Sequence, residues 1–232
     1  KGANALGWYR VDGNITVSGT ATLVIEPGVT VKFDSTARLS FTSTNDTCLL
    51  AKGTASDSIL FIPGKVASWR GIQLTGANQV DTTFKYCRIS GSNRTGEGGG
   101  FYTDKTVKLD NCTISGNTAS STGGGTSRGT FTNCTISGNK ASSSGGGTSY
   151  GTFTNCTISG NTSAYNGGGT YGGTFTNCTI SGNKASTSYS SGGGTYFSTL
   201  TNCTISDNTA GGNGGGANAG TLTNCTISGN TS

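Results

Sequence analysis

The chain has 232 residues, with 15 Lys and Arg, 10 Asp and Glu and no His, so its formal net charge is +5. This mild charge forms no basic run, which excludes nucleic-acid binding as the main function. No apolar stretch is long enough to span a membrane, so we expect no membrane insertion. The chain starts at Lys1 and contains no Met, which favours a mature secreted chain, with an arbitrary boundary as the alternative.

Residues 1–82 form a less regular and more apolar section. Short β-rich runs such as Trp8–Val11, Ala21–Ile25 and Val29–Phe33 are separated by turn residues, including the pair Pro27–Gly28. No window shows a 3.6-residue period, so the sequence predicts no helix. We interpret this section as irregular N-terminal coils or a cap for the repeats that follow.

A fixed repeat begins at residue 83 and continues to residue 232. Its clearest copy, T-F-T-N-C-T-I-S, starts at Thr130, and Gly-Gly-Gly triplets recur between the copies. The repeated cysteines stand 22 or 25 residues apart, at Cys87, Cys112, Cys134, Cys156, Cys178, Cys203 and Cys225. The three-residue insertions fall in two loops, so the strands keep a fixed length while the loops vary, as in stacked repeats.

A period of 22 residues matches one coil of a parallel β-helix and is too short for repeats made of helix pairs. Strand alternation predicts that Phe131, Cys134 and Ile136 point into the coil, whereas Thr132 and Thr135 point outward. The Asn before each Cys is expected to bend the chain, because Asn tolerates the left-handed backbone conformation.

Two asparagines in each repeat predict two ladders along a stack with a spacing of about 4.8 Å. The first ladder contains Asn111, Asn133, Asn155, Asn177, Asn202 and Asn224. The second contains Asn117, Asn139, Asn161, Asn183, Asn208 and Asn230. Their amides can hydrogen-bond along the stack. The glycine triplet predicts a third strand with little side-chain volume, where the opposite wall approaches closely.

The repeat resembles the right-handed parallel β-helix family, the pectate-lyase-like solenoids. Within that family it is similar to secreted or surface proteins of bacteria and archaea that are built from N-C-T-I-S-G-N and G-G-G units. The segment Ile25–Val31, I-E-P-G-V-T-V, resembles the opening coils of such proteins. The resemblance covers nearly the whole chain and implies an all-β fold, a right-handed parallel β-helix of about ten coils of ~22 residues in one continuous domain. It indicates little about activity, because the family includes lyases, adhesins, phage spikes and structural proteins.

The line of cysteines admits three interpretations. A metal site needs a convergent cluster of ligands, and these thiols lie along one line. Disulfides between neighbouring coils are within reach by Cα distance, but parallel side-chain directions would strain them. Free thiols that act as small buried hydrophobic groups are the interpretation we favour, with some inter-coil disulfides as the alternative. The sequence therefore predicts no metal and no other cofactor.

Asn-X-Ser/Thr acceptor sequences for glycosylation occur many times in the chain. In the Asn-Cys-Thr copies a hydrogen-bonded stack would leave no room for a sugar. The candidate glycosylation sites elsewhere are Asn14, Asn45, Asn93 and Asn161.

Outward hydroxyl groups are the most suggestive surface feature of the repeat. Five stacked T-x-T pairs form a candidate hydroxyl face: Thr130, Thr132, Thr152, Thr154, Thr174, Thr176, Thr199, Thr201, Thr221 and Thr223. Such flat arrays resemble the faces of ice-binding β-solenoid proteins. Alternatively, Thr is a good strand residue on a solvated face. A second hydroxyl face, formed by Thr135, Ser137 and their equivalents, weakens the ice-binding interpretation.

Catalytic constellations are not visible in the sequence. Beyond residue 95 the acidic residues Glu97, Asp104, Asp110 and Asp207 are scattered over several coils, whereas carbohydrate-active sites need grouped carboxylates or a calcium site. Without His, a nucleophile has no obvious general base. We therefore predict no catalytic residues and no enzymatic activity.

The last coil ends at Ser232 without a glycine triplet or a charged cap, so we expect an open edge that invites another layer. We hypothesise an extracellular, cell-surface structural solenoid whose partner is itself, in a head-to-tail homopolymer. The main alternative is an adhesin or glycan-binding stalk. Its contact residues would be Tyr150, Tyr165, Tyr171, Tyr189 and Tyr196. A structural ladder of Tyr150, Tyr171 and Tyr196 is the other interpretation of three of these tyrosines.

Overall fold

A computed structural model describes residues 7–34, 36–42, 47–65, 68–75, 82–104 and 107–232. Within these residues β-strands are the only regular secondary structure, and every strand pairing between coils is parallel. Strand order follows the coils, so the chain winds as a right-handed parallel β-helix. The predicted fold class is confirmed.

Sheet 1 carries the T-I-S strands and has ten members. They are Trp8–Val11, Thr30–Phe33, Ile59–Pro63, Cys87–Ser90, Thr113–Ser115, Thr135–Ser137, Thr157–Ser159, Thr179–Ser181, Thr204–Ser206 and Thr226–Ser228. From Cys87–Ser90 onward the register is constant: Ile136, for example, pairs with Ile114 before it and Ile158 after it. Equivalent residues of successive coils therefore stack in one column along this sheet.

Sheet 2 is short and begins later in the chain. It has six two-residue strands: Asn93–Arg94, Thr118–Ala119, Lys140–Ala141, Thr162–Ser163, Lys184–Ala185 and Thr209–Ala210. The second residue of each strand points inward, and from the second strand onward that residue is Ala or Ser. Small inward residues keep this side of the coil narrow.

Sheet 3 has sixteen strands in two arms. The first arm contains Ile15–Val17, Leu39–Phe41, Ile72–Leu74, Phe101–Thr103, Thr126–Ser127, Thr148–Ser149 and Thr170–Tyr171. The second arm contains Leu23–Ile25, Leu49–Lys52, Thr83–Lys85, Lys108–Asp110, Thr130–Thr132, Thr152–Thr154 and Thr174–Thr176. The arms join at Thr195–Thr201 and Ala217–Thr223, which run through the corner without a break.

The irregular first section and the regular repeat share sheets 1 and 3. Strand Ile59–Pro63 pairs with Cys87–Ser90 in sheet 1, and Leu50 pairs with Thr83 in sheet 3. The change in sequence near residue 82 therefore lies within a continuous stack of strands.

The core is a narrow column of apolar side chains inside the coils. Phe131, Phe153 and Phe175 stack face to face with ring centroids 4.7 Å apart, and none is exposed. Burying one such large side chain contributes roughly 1.5–3 kcal/mol. Since each coil adds an equivalent Phe or Leu and an Ile, stability accumulates coil by coil.

The prediction that the glycine triplet forms a third strand was wrong. Each triplet is a turn between sheet 2 and sheet 3, and its first glycine has a φ between +62° and +68°. A Cβ atom on the second glycine, as at Gly146, would overlap the carbonyl oxygen of Gly168 in the next coil. The triplet therefore serves close contact between neighbouring coils rather than between opposite walls.

Candidate functional site

The inner asparagine ladder, Asn117, Asn139, Asn161, Asn183, Asn208 and Asn230, lies inside the solenoid. The first five of these side chains are at most 1% exposed. The Nδ2 of Asn139 donates to the Ile114 carbonyl and to Asn161 Oδ1, both at 3.0 Å, and Asn161 Oδ1 also accepts the Asn139 backbone N–H at 2.9 Å. Each amide thus satisfies the turn groups of its own and neighbouring coils, as buried polar groups require.

The prediction of Asn161 as a glycosylation site was wrong for the folded chain. Its side chain is fully buried, and its Nδ2 donates to the Ile136 carbonyl and to Asn183 Oδ1. Of the other candidates, Asn14 and Asn93 are exposed, whereas Asn45 lies outside the described residues.

The outer asparagine ladder, Asn111, Asn133, Asn155, Asn177, Asn202 and Asn224, lies on the surface where sheet 3 turns into sheet 1. Its members have a φ between +50° and +55°, the left-handed conformation expected of a bend without Gly. The Asn155 Nδ2 donates to Asn133 Oδ1 at 3.3 Å, and Asn177 donates to Asn155 in the same way. The outer amides therefore donate to the asparagine of the preceding coil, whereas each inner amide donates both to an Ile carbonyl of the preceding coil and to the asparagine of the next coil.

The cysteine ladder, Cys87, Cys112, Cys134, Cys156, Cys178, Cys203 and Cys225, runs beside the outer asparagines and consists of free thiols. The Cys134 backbone N–H donates to Cys156 Sγ at 3.4 Å, and the Cys134 thiol donates to the Thr132 carbonyl at 3.2 Å. Hydrogen bonding to the neighbouring thiol, together with burial, raises the pKa of Cys156 to about 12 and that of Cys178 to about 11. These thiols therefore act as buried neutral groups and not as nucleophiles.

The predicted hydroxyl face occupies the second arm of sheet 3. Its threonines are half-exposed or exposed, and they stand in register from Thr130 through Thr152 and Thr174 to Thr199 and Thr221. The second hydroxyl face lies on sheet 1, where Thr135 and its equivalents in the later coils are exposed and Thr113 is half-exposed. The solenoid thus presents two separate hydroxyl-bearing surfaces.

Tyrosines at the corner between the two arms of sheet 3 form an aromatic row. Tyr150 contacts Tyr171 edge to face, and Tyr171 stacks on Tyr196, with centroids 5.8 Å apart in both pairs. Phe197, which is 61% exposed, packs against Tyr196 at 4.6 Å. Tyr165 and Tyr189 are exposed in other loops and make no ring contact with this row. We call Tyr150, Tyr171, Tyr196 and Phe197 the aromatic row.

Several acidic side chains of the described residues form ion pairs. Asp34 accepts from Arg10, which lowers the pKa of Asp34, and Glu97 pairs with Arg128 at 3.3 Å. No group of three or more Cys, Asp or Glu residues with metal-binding geometry occurs in the described parts of the chain. Those parts also contain no helix of the length and hydropathy needed to cross a membrane.

Sequence reasoning missed a cluster of three arginines near the start of sheet 2. Arg38, Arg70 and Arg94 come from three consecutive coils and line a cavity of about 360 Å³ together with Asn14, Thr36 and Thr95. The signal that would have revealed it is the register. Arg94 pairs with Ala119, so a charged side chain starts from the inward position that later coils give to Ala or Ser.

The sequence of the chain matches a known protein family. A family model of the right-handed beta helix region matches residues 70–232. The chain therefore belongs to the right-handed β-helix family, which confirms the resemblance identified from the repeat. No curated protein and no solved structure matches it.

Proposed function

We propose that the protein is a non-enzymatic, extracellular structural solenoid that stacks head to tail into a filament. This proposal rests on one observation: the same contacts repeat from coil to coil. Sheets, asparagine ladders and the cysteine ladder repeat the same hydrogen bonds, for example Asn139 to Asn161 and Asn161 to Asn183. Each coil is therefore a template for another, and the other coil can come from a second copy.

The two end coils carry the groups that such stacking would use. Ile227 in the last strand of sheet 1 is 53% exposed, whereas its partner Ile205 in the coil before it is fully buried. In the first described coil, Val24 and Ile15 are 56% and 39% exposed, and with other apolar side chains they line an open concavity of about 850 Å³. Apolar surface on the first and the last described coils would favour association with a further coil of the same kind.

Negative-stain electron microscopy of the 232-residue chain over a concentration series tests this proposal. We expect thin unbranched filaments whose length grows with concentration. Ile227→Lys should abolish them, because it places a charge on the stacking face. Thr157→Lys is the matched control, since it adds the same charge on an exposed mid-rod position of sheet 1. Discrete rods at every concentration, or equal filament loss in both variants, would contradict head-to-tail stacking.

A second candidate function is an adhesin or glycan-binding stalk, and the aromatic row favours it. Stacked aromatic side chains with an exposed Phe197 at one end offer apolar faces of the kind that bind sugar rings. A glycan array should then show saturable binding that Tyr150→Ala and Phe197→Ala remove. Tyr189→Ala is the control, because Tyr189 is 91% exposed but stands apart from the row. Equal binding by all variants would reject the row as the contact surface.

Ice binding is the third candidate, and the regular T-x-T face favours it. Thr154 and Thr176 stand in the middle of five aligned coils. Ice-crystal shaping that disappears in Thr154→Leu and Thr176→Leu, but persists in Thr157→Leu on the other hydroxyl face, would support this function. Ice crystals of ordinary shape in the presence of the unmodified chain would exclude it.

A further inference from the structure

The arginine cluster lies where the stack changes its cross-section. Sheet 2 begins with the strand Asn93–Arg94, so this strand is the N-terminal edge of the sheet. In the two preceding coils, Arg38 and Arg70 lie next to the strands Leu39–Phe41 and Ile72–Leu74 of sheet 3. The three arginines line the cavity of about 360 Å³ beside this first strand of sheet 2.

Neutral groups hold the three guanidinium groups in place. The Arg38 Nη1 donates to Gln73 Oε1 at 2.7 Å, and the Arg70 Nη1 donates to Thr95 Oγ1 at 2.6 Å. The Arg94 guanidinium lies over the Tyr102 ring at 4.8 Å. The cluster is thus a positioned set of donors and not a group of free surface side chains.

No acidic side chain among the described residues forms an ion pair with these arginines. Glu97 attracts Arg94 electrostatically but makes its ion pair with Arg128. Burial, together with the nearby charge of Arg38, lowers the pKa of Arg94 to about 10. Three like charges therefore share a partly buried cavity without an ion-paired carboxylate from the described chain.

Two donors of the cluster have no hydrogen-bond partner. Arg38 Nε and Arg94 Nη1 are buried and unpartnered within the described residues, where the other unpartnered buried side-chain atoms are all hydroxyls. A buried, charged donor without an acceptor is costly, and native proteins usually satisfy it. An anion in the cavity would supply the missing counter-charge, and the guanidinium N–H groups that line the cavity would donate to its oxygens.

We propose that this cavity binds one oxyanion group, a sulfate or a phosphate, either free or carried as an ester on a saccharide. Guanidinium groups recognise such oxygens through paired, charge-assisted hydrogen bonds. The cavity volume lies at the lower end of the range for small-molecule sites, so it also accommodates a sugar unit that carries the anion. The site belongs to the side of the solenoid and does not depend on end-to-end stacking.

Binding is measured by calorimetry and thermal melting of the full chain at constant ionic strength, with sodium chloride replaced by sulfate or phosphate. Glucose 6-sulfate, glucose 6-phosphate and uncharged glucose are the further probes. Arg94→Ala is the test variant, since Ala119 occupies the same register in the next coil and the variant is expected to fold. Arg88→Gln is the matched control, because Arg88 is an exposed arginine on sheet 1.

We expect saturable binding of at least one anionic probe, no binding of glucose, and a loss of affinity of about tenfold or more in Arg94→Ala. Without anion, Arg94→Ala should melt at a temperature equal to or above that of the unmodified chain. Tighter binding of the esters would assign the anion to a saccharide, and equal binding would assign it to a free ion. Unchanged affinity in Arg94→Ala, an equal loss in Arg88→Gln, or no saturable binding would overturn the site.

Discussion

Asparagine occupies two positions in each coil, and the two positions use the same side chain for different purposes. The outer Asn supplies a left-handed bend at an exposed corner, where Gly would also fit. The inner Asn supplies hydrogen bonds in a buried turn, where the preceding glycine takes the left-handed conformation, as at Gly138 before Asn139. Loss of the inner amide should therefore cost far more than loss of the outer amide.

We expect Asn161→Ala to lower the free energy of unfolding by about 2–4 kcal/mol, because it removes an acceptor for Asn139 and leaves buried polar groups unpaired. Asn155→Gly should change it by less than about 1 kcal/mol, because Gly adopts the same φ without strain. Urea denaturation followed by circular dichroism measures both. Similar midpoints for the two variants would show that the inner ladder contributes little.

The raised thiol pKa values of the cysteine ladder predict that the folded chain becomes less stable as the pH rises into the alkaline range. Unfolded thiols ionise near pH 8.5, whereas Cys156 and Cys178 stay protonated in the fold to about 12 and 11. The folded state thus retains protons that the unfolded state releases, so the stabilisation is complete below about pH 8.5 and declines as the pH rises further. Thermal melting from pH 7 to 11 should show a falling midpoint.

Thiol labelling gives an independent check on the same ladder. In dilute native protein at pH 8 an alkylating reagent should modify Cys225 first, because it is the only partly exposed member among the described cysteines. Cys156 and Cys178 should react only after denaturation, as mass spectrometry of the labelled peptides would reveal. Rapid native labelling of Cys156 would contradict its burial.

At the scale of the element, the glycine triplet sets how closely coils approach. Its second glycine contacts the backbone of the next coil, while the third packs against an inner asparagine amide, as Gly125 does against Asn139. The side chain is excluded by neighbouring backbone, which cannot move aside as a flexible side chain would. Repeated glycine is therefore a packing requirement here and not a sign of flexibility.

Gly146→Ala should destabilise the chain by at least about 3 kcal/mol, because its Cβ would overlap the Gly168 carbonyl and the Thr162 backbone. Gly138→Asn is the control. Gly138 has open space around it, and Asp207 adopts the same left-handed conformation at the equivalent position. We expect this control to stay within about 1 kcal/mol of the parent in urea denaturation. A mild effect of Gly146→Ala would mean that the coils can separate locally.

At the scale of the whole molecule, the stack behaves as a one-dimensional array in which each coil contacts its neighbours. Removing one whole coil should therefore be tolerated. Deletion of residues 135–156 joins Cys134 to Thr157 and leaves every ladder in register, so we expect a folded chain with a slightly lower melting temperature.

Deletion of residues 135–155 is the matched control for this prediction. It removes one residue fewer, and the downstream strands then turn their inward side chains outward. Circular dichroism and melting curves should show a cooperative β-structure for the first deletion and its loss for the second. Equal behaviour of the two deletions would contradict a register fixed by the ladders.

Much of this architecture could be predicted from the sequence, because a 22-residue period repeats the same local pattern in every coil. The inward positions of Phe131, Cys134 and Ile136 follow from strand alternation, and the structure places all three in the core. The bend at Asn133 follows from the tolerance of Asn for a positive φ. These features are local, so neighbouring residues suffice to specify them.

Only the tertiary structure decided which surfaces come together between coils. Asn161 carries an acceptor sequence for glycosylation, yet its burial depends on the coils on either side of it. The glycine triplet was predicted to be a strand, and only its contacts with the backbone of the next coil show that it is a close-packed turn. Arg38, Arg70 and Arg94 are 32 and 24 residues apart, a spacing outside the regular period. Sequence determined the period and its inward pattern, whereas contacts between irregular coils depend on stacking, which no local pattern encodes.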